Sequence, residues 1–301
     1  MATELGQAYV QIMPSAKGIK GSISKVLNPE ASAAGGIAGK SIGSKMISVI
    51  KGAIITAGIG KLIGKSITEG ADLEQSIGGI ETLFKDNADT VIKYAEQAYK
   101  TVGVSGNEYM ENVTSFSASL LQSMGGDTKE AAKVAHTAML DMGDNANKMG
   151  TSMGDIQNAY QGFAKENYTM LDNLKLGYGG TKTEMERLLA DATKLTGVKY
   201  DINNLDDVFM AVHAIQEEIG ITGTTALEAE ETISGSLNAM KAAFTNTMGA
   251  LAIGENLEGS FQALSETTST FIFGNLIPMI GTIFQSLPTE LIAFFQTAAP
   301  L

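Results

Sequence analysis

The chain has 301 residues, with no Cys, no Trp, 34 Gly, 5 Pro and a net charge of −12. The absence of Cys excludes a disulfide framework, a thiolate metal site and a Cys nucleophile, and two imidazoles, His136 and His213, are too few for a multi-His metal site. The acidic balance argues against the whole chain being a nucleic-acid binder, and at ~150 residues per domain the length gives one or two domains with room for a core.

The charge is unevenly placed. Residues 1–66 carry eight Lys against Glu4 and Glu30, a net of +6, which leaves −18 for the rest. A basic, glycine-rich head therefore precedes an acidic body. Such a head fits an anionic surface or an acidic partner, and equally the solvated face of an ordinary helix. The start, MATELGQAYV, has an acid where a secretory signal has its basic region. The longest uncharged run, Thr267 to Thr289, could span a membrane at ~1.5 Å per residue, but Gly274, Pro278, Gly281 and Pro288 interrupt it. The expectation is a protein made in the cytoplasm that meets a membrane only later.

In chain order, 1–34 is an N-terminal segment in which QAYVQIM (7–13) alternates weakly as a short strand and SAKGIKGSISKVL reads as a short basic helix. Residues 35–69 form a basic, glycine-rich amphipathic helix. Ile42, Met46, Ile47, Ile50, Ile54, Ile59, Leu62 and Ile63 recur at helical spacing. At about 100° per residue, Lys40, Lys51, Lys61 and Lys65 fall within about 80° of one another, with Lys45 off that arc. These four Lys are the candidate residues for binding a membrane or an acidic partner. Small residues four apart (Gly35/Gly39/Gly43, Ala53/Ala57, Gly60/Gly64) permit close helix approach or ordinary tight packing.

Residues 70–250 read as a helical core. Ser105-x-x-Glu108 opens a helix burying Tyr109, Val113, Phe116 and Leu120. Asp127 caps one with Ala131, Val134, Ala138 and Met142 inward. Thr181-x-x-Glu184 opens one with Met185, Leu188, Leu189, Ala192 and Leu195. Asn204 precedes Leu205, Val208, Phe209, Val212 and Ile219. Thr225-x-x-Glu228 opens one long helix with Ile233, Leu237, Met240, Phe244, Met248 and Leu251 inward. Gly125-Gly126, Gly179-Gly180 and Gly220/Gly223 read as stops. Residues 251–301 are apolar helices holding six of the eleven Phe. There Ile272, Leu276, Ile280, Ile283, Phe284 and Leu287 share one face, and Asn275, Thr282 and Gln285 the other. Phe271, Ile272, Leu276, Ile280 and Phe284 join the candidate contact residues. The fold class is all-α.

No constellation supports catalysis. GYGGTKT (177–183) lacks the GxxxxGK[ST] order and the preceding strand of a phosphate loop and reads as an interhelical loop. His136 and His213 have no acidic or hydroxyl partner at motif spacing and read as structural or solvent-facing. Glu217-Glu218 and Glu228/Glu230/Glu231 read as solvated surface rather than a carboxylate pair, and the fifteen Met as core filler or an adaptable surface. The expectation is a non-enzyme with no cofactor and no metal.

Four blocks resemble one family. ELGQAYVQIMPSAKGIKGSISKVL looks like the opening of tail tape measure proteins of siphophages and prophages of Gram-positive bacteria. GADLEQSIGGIETLF (70–84) is similar to the start of their helical core. FAKENYTMLDNLKLGYGGTKTEMERLLADA (163–192) is the most specific match, and ETTSTFIFGNLIPMI (266–280) resembles the first apolar segment after the core. The resemblance implies a virion tail protein, the N-terminal part of a tape measure, packed as a few extended copies in the tail tube. Its implied partners are tail-tube and tail-chaperone proteins during assembly in the host cytoplasm, and possible contact with the host membrane at ejection; no sequence-specific nucleic acid is implied. Family members are usually longer. A single helix of this length reaches only about 450 Å at ~1.5 Å per residue, so the expectation is a truncated or fragmentary product. The competing reading is a membrane-active holin- or toxin-like protein, carried by the 42–67 helix and the apolar end.

Overall fold

The computed structural model describes the backbone of residues 58–286 and the side chains of residues 64–282. Lys40, Lys51 and the strand proposed at 7–13 lie outside the described residues, as do the side chains of Lys61 and Phe284. The described chain is all-α, with no strand among these residues. Its helices are α1 (Gly58–Phe84), α2 (Ala88–Thr101), α3 (Gly106–Ser123), α4 (Thr128–Met149), α5 (Met153–Phe163), α6 (Lys182–Thr196), α7 (Leu205–Glu218), α8 (Thr224–Glu231), α9 (Ile233–Ile253), α10 (Leu257–Ser269) and α11 (Ile277–Ser286). A 3-10 turn, Leu171–Leu174, lies between α5 and α6, and a π-helical stretch, Thr270–Leu276, joins α10 to α11.

Local chemistry starts most of these helices where the sequence places them. The Ser105 hydroxyl accepts from Glu108 N, Asp127 from Lys129 N and Glu130 N, Ser152 from Asp155 N, and Thr181 from Glu184 N. Each satisfies a backbone donor that the first helical turn cannot. Gly150 and Gly197 end α4 and α6 at φ of 66° and 74°, a left-handed conformation in which a Cβ would be strained.

The long helix expected from Thr225 is two helices. Thr232 leaves the helical region at φ −115°, ψ 154°, and its hydroxyl accepts from Gly235 N, so it ends α8 and caps α9. Gly235 has no space for a Cβ against the last turn of α8, so the two helices meet at a sharp corner. Thr225 does not cap α8. That role falls to Asp144 of α4, whose carboxylate accepts from Gly223 N at 2.6 Å and Thr225 N at 2.8 Å.

Helix α4 lies at the centre, touching α2, α3, α5, α7 and α8. The main core is built from the expected faces: Tyr109, Val113, Phe116 and Leu120 of α3, Ala131, Val134, Ala138 and Met142 of α4, Met185, Leu188, Leu189 and Ala192 of α6, and Leu205, Val208, Phe209 and Val212 of α7. Leu195 and Ile219 are exposed instead, because each sits where its helix runs out of neighbours.

Helix α9 departs furthest from its expected face. It buries Ser236, Ala239, Ala242, Ala243, Thr247, Gly249 and Ala250, and of the large residues expected inward only Met248, while Leu251 is exposed and Leu237, Met240 and Phe244 are half-buried. Close neighbours explain this. Helix α10 packs along α9, and α1 crosses it with Gly70 against Ala252 and Leu73 against Gly249. Backbones that approach this closely leave room mainly for small side chains. Helix α1 runs unbroken through residues 69 and 70, and α9 through 250 and 251, so both composition boundaries fall inside helices.

Asp144→Ala removes the partner of two backbone donors at the start of α8 and is expected to cost about 2 kcal/mol. Thr232→Ala, which removes one cap, is expected to cost about 1 kcal/mol. Urea unfolding of both variants against the wild type checks the order; equal stabilities would show that α8 is held by its apolar contacts alone.

Candidate functional site

Three features could act on something outside the fold: a groove, an apolar face and a buried histidine–carboxylate pair. The groove lies between α1, α2, α9 and α10 and has a volume of about 440 Å³. Its floor is apolar, with Leu73, Ile77, Ile92 and Met110, and its walls include Gly249 and Gly259. The rim carries Glu69, Glu96, Glu255 and Glu266 against one cation, Lys100. Asn256, in the left-handed region at φ 46°, donates to Glu96 at 2.7 Å and pins the turn before α10 to α2. The rim's field reaches inward: burial, and then Glu266, pushes the Tyr99 hydroxyl above its ordinary pKa.

The apolar face lies on α10, the π-helical stretch and α11. Residues 257–276 pack on α9, and the π-helical stretch also meets α8. Among the candidate contact residues here, Phe271, Ile272, Leu276 and Ile280 are half-buried. Asn275, placed with Thr282 and Gln285 on the face opposite Ile272 and Leu276, is buried; its amide donates to Glu230 O at 2.9 Å and to Thr270 O. The exposed apolar residues are instead Phe261, Phe273, Ile277 and Met279, with Phe273 59% and Ile277 46% exposed. The physical reason is the π geometry. Its i→i+5 bonding adds residues per turn, so a face projected at 100° per residue loses phase across 270–276. Lys65, the one candidate Lys with a described side chain, is exposed on α1 with Nζ 4.8 Å above the Phe244 ring. Among the described residues no helix is long and apolar enough to cross a membrane.

Both histidines have partners on other helices, which motif spacing could not show. His136 Nδ1 lies 3.0 Å from the Tyr109 hydroxyl, and its ring stacks on Tyr94 at 3.8 Å. Burial holds it below its ordinary pKa. His213 of α7 is 2.8 Å from Asp141 of α4, which is 1% exposed. The other Asp141 oxygen has no partner, and burial pushes this carboxyl up to about 6 while His213 opposes the shift. The hydrogen bond from Asp141 raises His213, against its own desolvation, and Glu217 and Asp144 act in the same direction. The pair ties α4 to α7.

The GYGGTKT segment is an interhelical loop held by Arg187, the single arginine of the chain. Its guanidinium donates to Glu184 and to Gly177 O and lies 4.3 Å from the Tyr178 ring, while Glu184 accepts from Gly179 N. The start of α6 thus already holds its own carboxylate, which leaves a phosphate no favourable place. Glu217, Glu218, Glu230 and Glu231 are exposed on helices α7 and α8.

No family model, curated protein or solved structure matches this chain.

The Asp141–His213 pair makes stability depend on pH with a definite sign. An acid raised in the folded state costs stability as pH climbs from its ordinary 3.8 toward about 6. A histidine raised in the folded state contributes stability that is complete below its ordinary 6.5 and is lost as pH rises through its folded value. Both changes lower stability with rising pH. Asp141→Asn is therefore expected to flatten the fall in Tm between about pH 5 and about pH 8. An unchanged slope would assign the pH dependence to other groups.

Proposed function

We propose that this chain is a structural phage tail protein: the N-terminal part of a tape measure, non-enzymatic, acting through helix–helix and membrane contacts. The observation that carries the reading is the set of exposed apolar side chains, Phe261, Phe273, Ile277 and Met279, on the last described helices of an acidic, all-helical body. Large apolar side chains exposed in one short stretch of chain suit an apolar partner. A chain that assembles alongside other copies or a tube wall supplies one.

The four sequence blocks add the specific assignment. The most distinctive, 163–192, spans the end of α5, the 3-10 turn, the Arg187-held loop and α6. Its polar groups are spent on fixing that loop: Asn173 donates to Asp155 O, and Thr151 and Asn145 donate to the carbonyls of Asn173 and Leu174. This is the use expected of a building element rather than of a reaction centre. Under this reading the partners are tail-tube and tail-chaperone proteins and further copies of the chain. Its place is the virion tail, reached from the host cytoplasm, with the host membrane met at ejection.

Mass spectrometry of purified virions from the source genome is expected to find the chain, and an in-frame deletion within it to change tail-tube length in electron micrographs. Tails of unchanged length and composition would overturn the proposal.

A further inference from the structure

We propose that the acid-rimmed groove between α1, α2, α9 and α10 is a docking site for the basic segment 40–57 of a second copy of this chain. The inference rests on the groove and the sequence, and stands independently of the phage reading.

The groove defines its occupant by shape and charge. A helix about 10 Å across fills on the order of 420 Å³ per 5.4 Å turn, so a cavity of about 440 Å³ admits the side-chain ridge of a helix lying along it, with the helix flanks left at the rim. That ridge must be apolar to cover Leu73, Ile77, Ile92 and Met110. A cationic edge suits the rim, because Glu69, Glu96, Glu255 and Glu266 line the groove with Lys100 as the one opposing charge among its lining residues. Long-range attraction of this kind orients a partner during encounter and weakens with salt.

The chain's own sequence contains a segment of this chemistry. No acid occurs between Glu30 and Glu69. Within that interval Lys40 and Lys51 border Ile47, Ile50 and Ile54 on one side at helical spacing, Ala53 and Ala57 lie along the other side, and Lys45 adds charge on the far face. A basic apolar segment on one copy and an acidic apolar groove on the next form a heterologous pair, which can repeat from copy to copy.

The test uses the full chain and two charge-reversed forms: one with Glu96→Lys and Glu266→Lys, the other with Lys40→Glu, Lys45→Glu and Lys51→Glu. Sedimentation velocity of the wild type is expected to show association at about 50 mM salt that weakens at least about tenfold at about 500 mM. Each reversed form alone is expected to stay monomeric, and an equal mixture of the two to associate again. Carbodiimide cross-linking of a mixture of isotope-labelled and unlabelled copies is expected to join Lys51 of one copy to Glu96 or Glu266 of another. Circular dichroism establishes that the variants are folded. If a reversed form is not, Glu96→Gln/Glu266→Gln is tested in its place and is expected to weaken association and the binding of a labelled peptide of residues 40–57. A wild type monomeric at low salt overturns the proposal, and so does association that ignores both reversals, as contact through the Phe273 and Ile277 face would. A mixture of folded reversed forms that stays apart overturns it too. Binding of the basic segment to anionic phospholipid vesicles, by a chain that remains monomeric without lipid, assigns the segment to membranes and also overturns it.

Discussion

Five consecutive positions on α4, residues 141–145, hold the arrangement together. Asp141 binds His213 of α7, Asp144 caps α8 through Gly223 N and Thr225 N, and Asn145 donates to Leu174 O in the 3-10 turn. Between them, Gly143 lies so near the end of α2 that a Cβ would come within 2.8 Å of Val102 O. Asp141, Asp144 and Asn145 are almost completely buried. Polar groups in that position are costly unless partnered, so each fixes the element that supplies its partner. One and a half turns of a single helix thereby set the positions of α2, α7, α8 and the 3-10 turn.

The outer elements follow from that hub by contact. Helix α8, fixed at its start by Asp144, turns at Thr232 into α9, and α9 presents its small-residue face to α10 and α1. Small residues permit a close approach where helices touch and leave a trough where they diverge. The groove is such a trough, roofed by no element among the described residues and edged by carboxylates. The same crowding turns the larger side chains of α9 outward. The apolar face on α10 and α11 has a second cause. Asn275 anchors the π-helical stretch to Glu230 O, and this sets which apolar residues face solvent beyond it.

These features divide the polar chemistry of the molecule into two kinds. Inside, carboxylates, amides and imidazoles join helices, and their titration couples to stability through Asp141 and His213. Outside, the groove sets an apolar lining within an acidic rim, and apolar side chains of α10, the π-helical stretch and α11 face solvent. Both leave apolar surface open at the exterior. That agrees with the assembly role proposed from the sequence blocks and with the strong charge asymmetry between residues 1–66 and the rest of the chain.

The sequence by itself determined the all-α class, most helix starts and the inward faces of α3, α4, α6 and α7. These depend on local signals: a hydroxyl or carboxylate three residues before a free backbone N–H, a glycine where φ is positive, and large apolar residues at a 3.6-residue period. The tertiary structure alone decided the rest. Asp144 caps a helix about eighty positions away and Asp141 meets His213 across two helices, pairings that no spacing rule encodes. The face of α9 is set by how closely its neighbours approach, which reverses the usual preference for burying large side chains. The break at Thr232 was written in the sequence as a capping threonine, but the competing Thr225-x-x-Glu228 pattern hid it. The phase of the C-terminal apolar face depended on a π-helical stretch that a wheel of fixed period cannot represent. The groove is assembled from two helix pairs, α1 with α2 and α9 with α10, that lie more than a hundred residues apart in the chain, so its shape exists only in the tertiary fold.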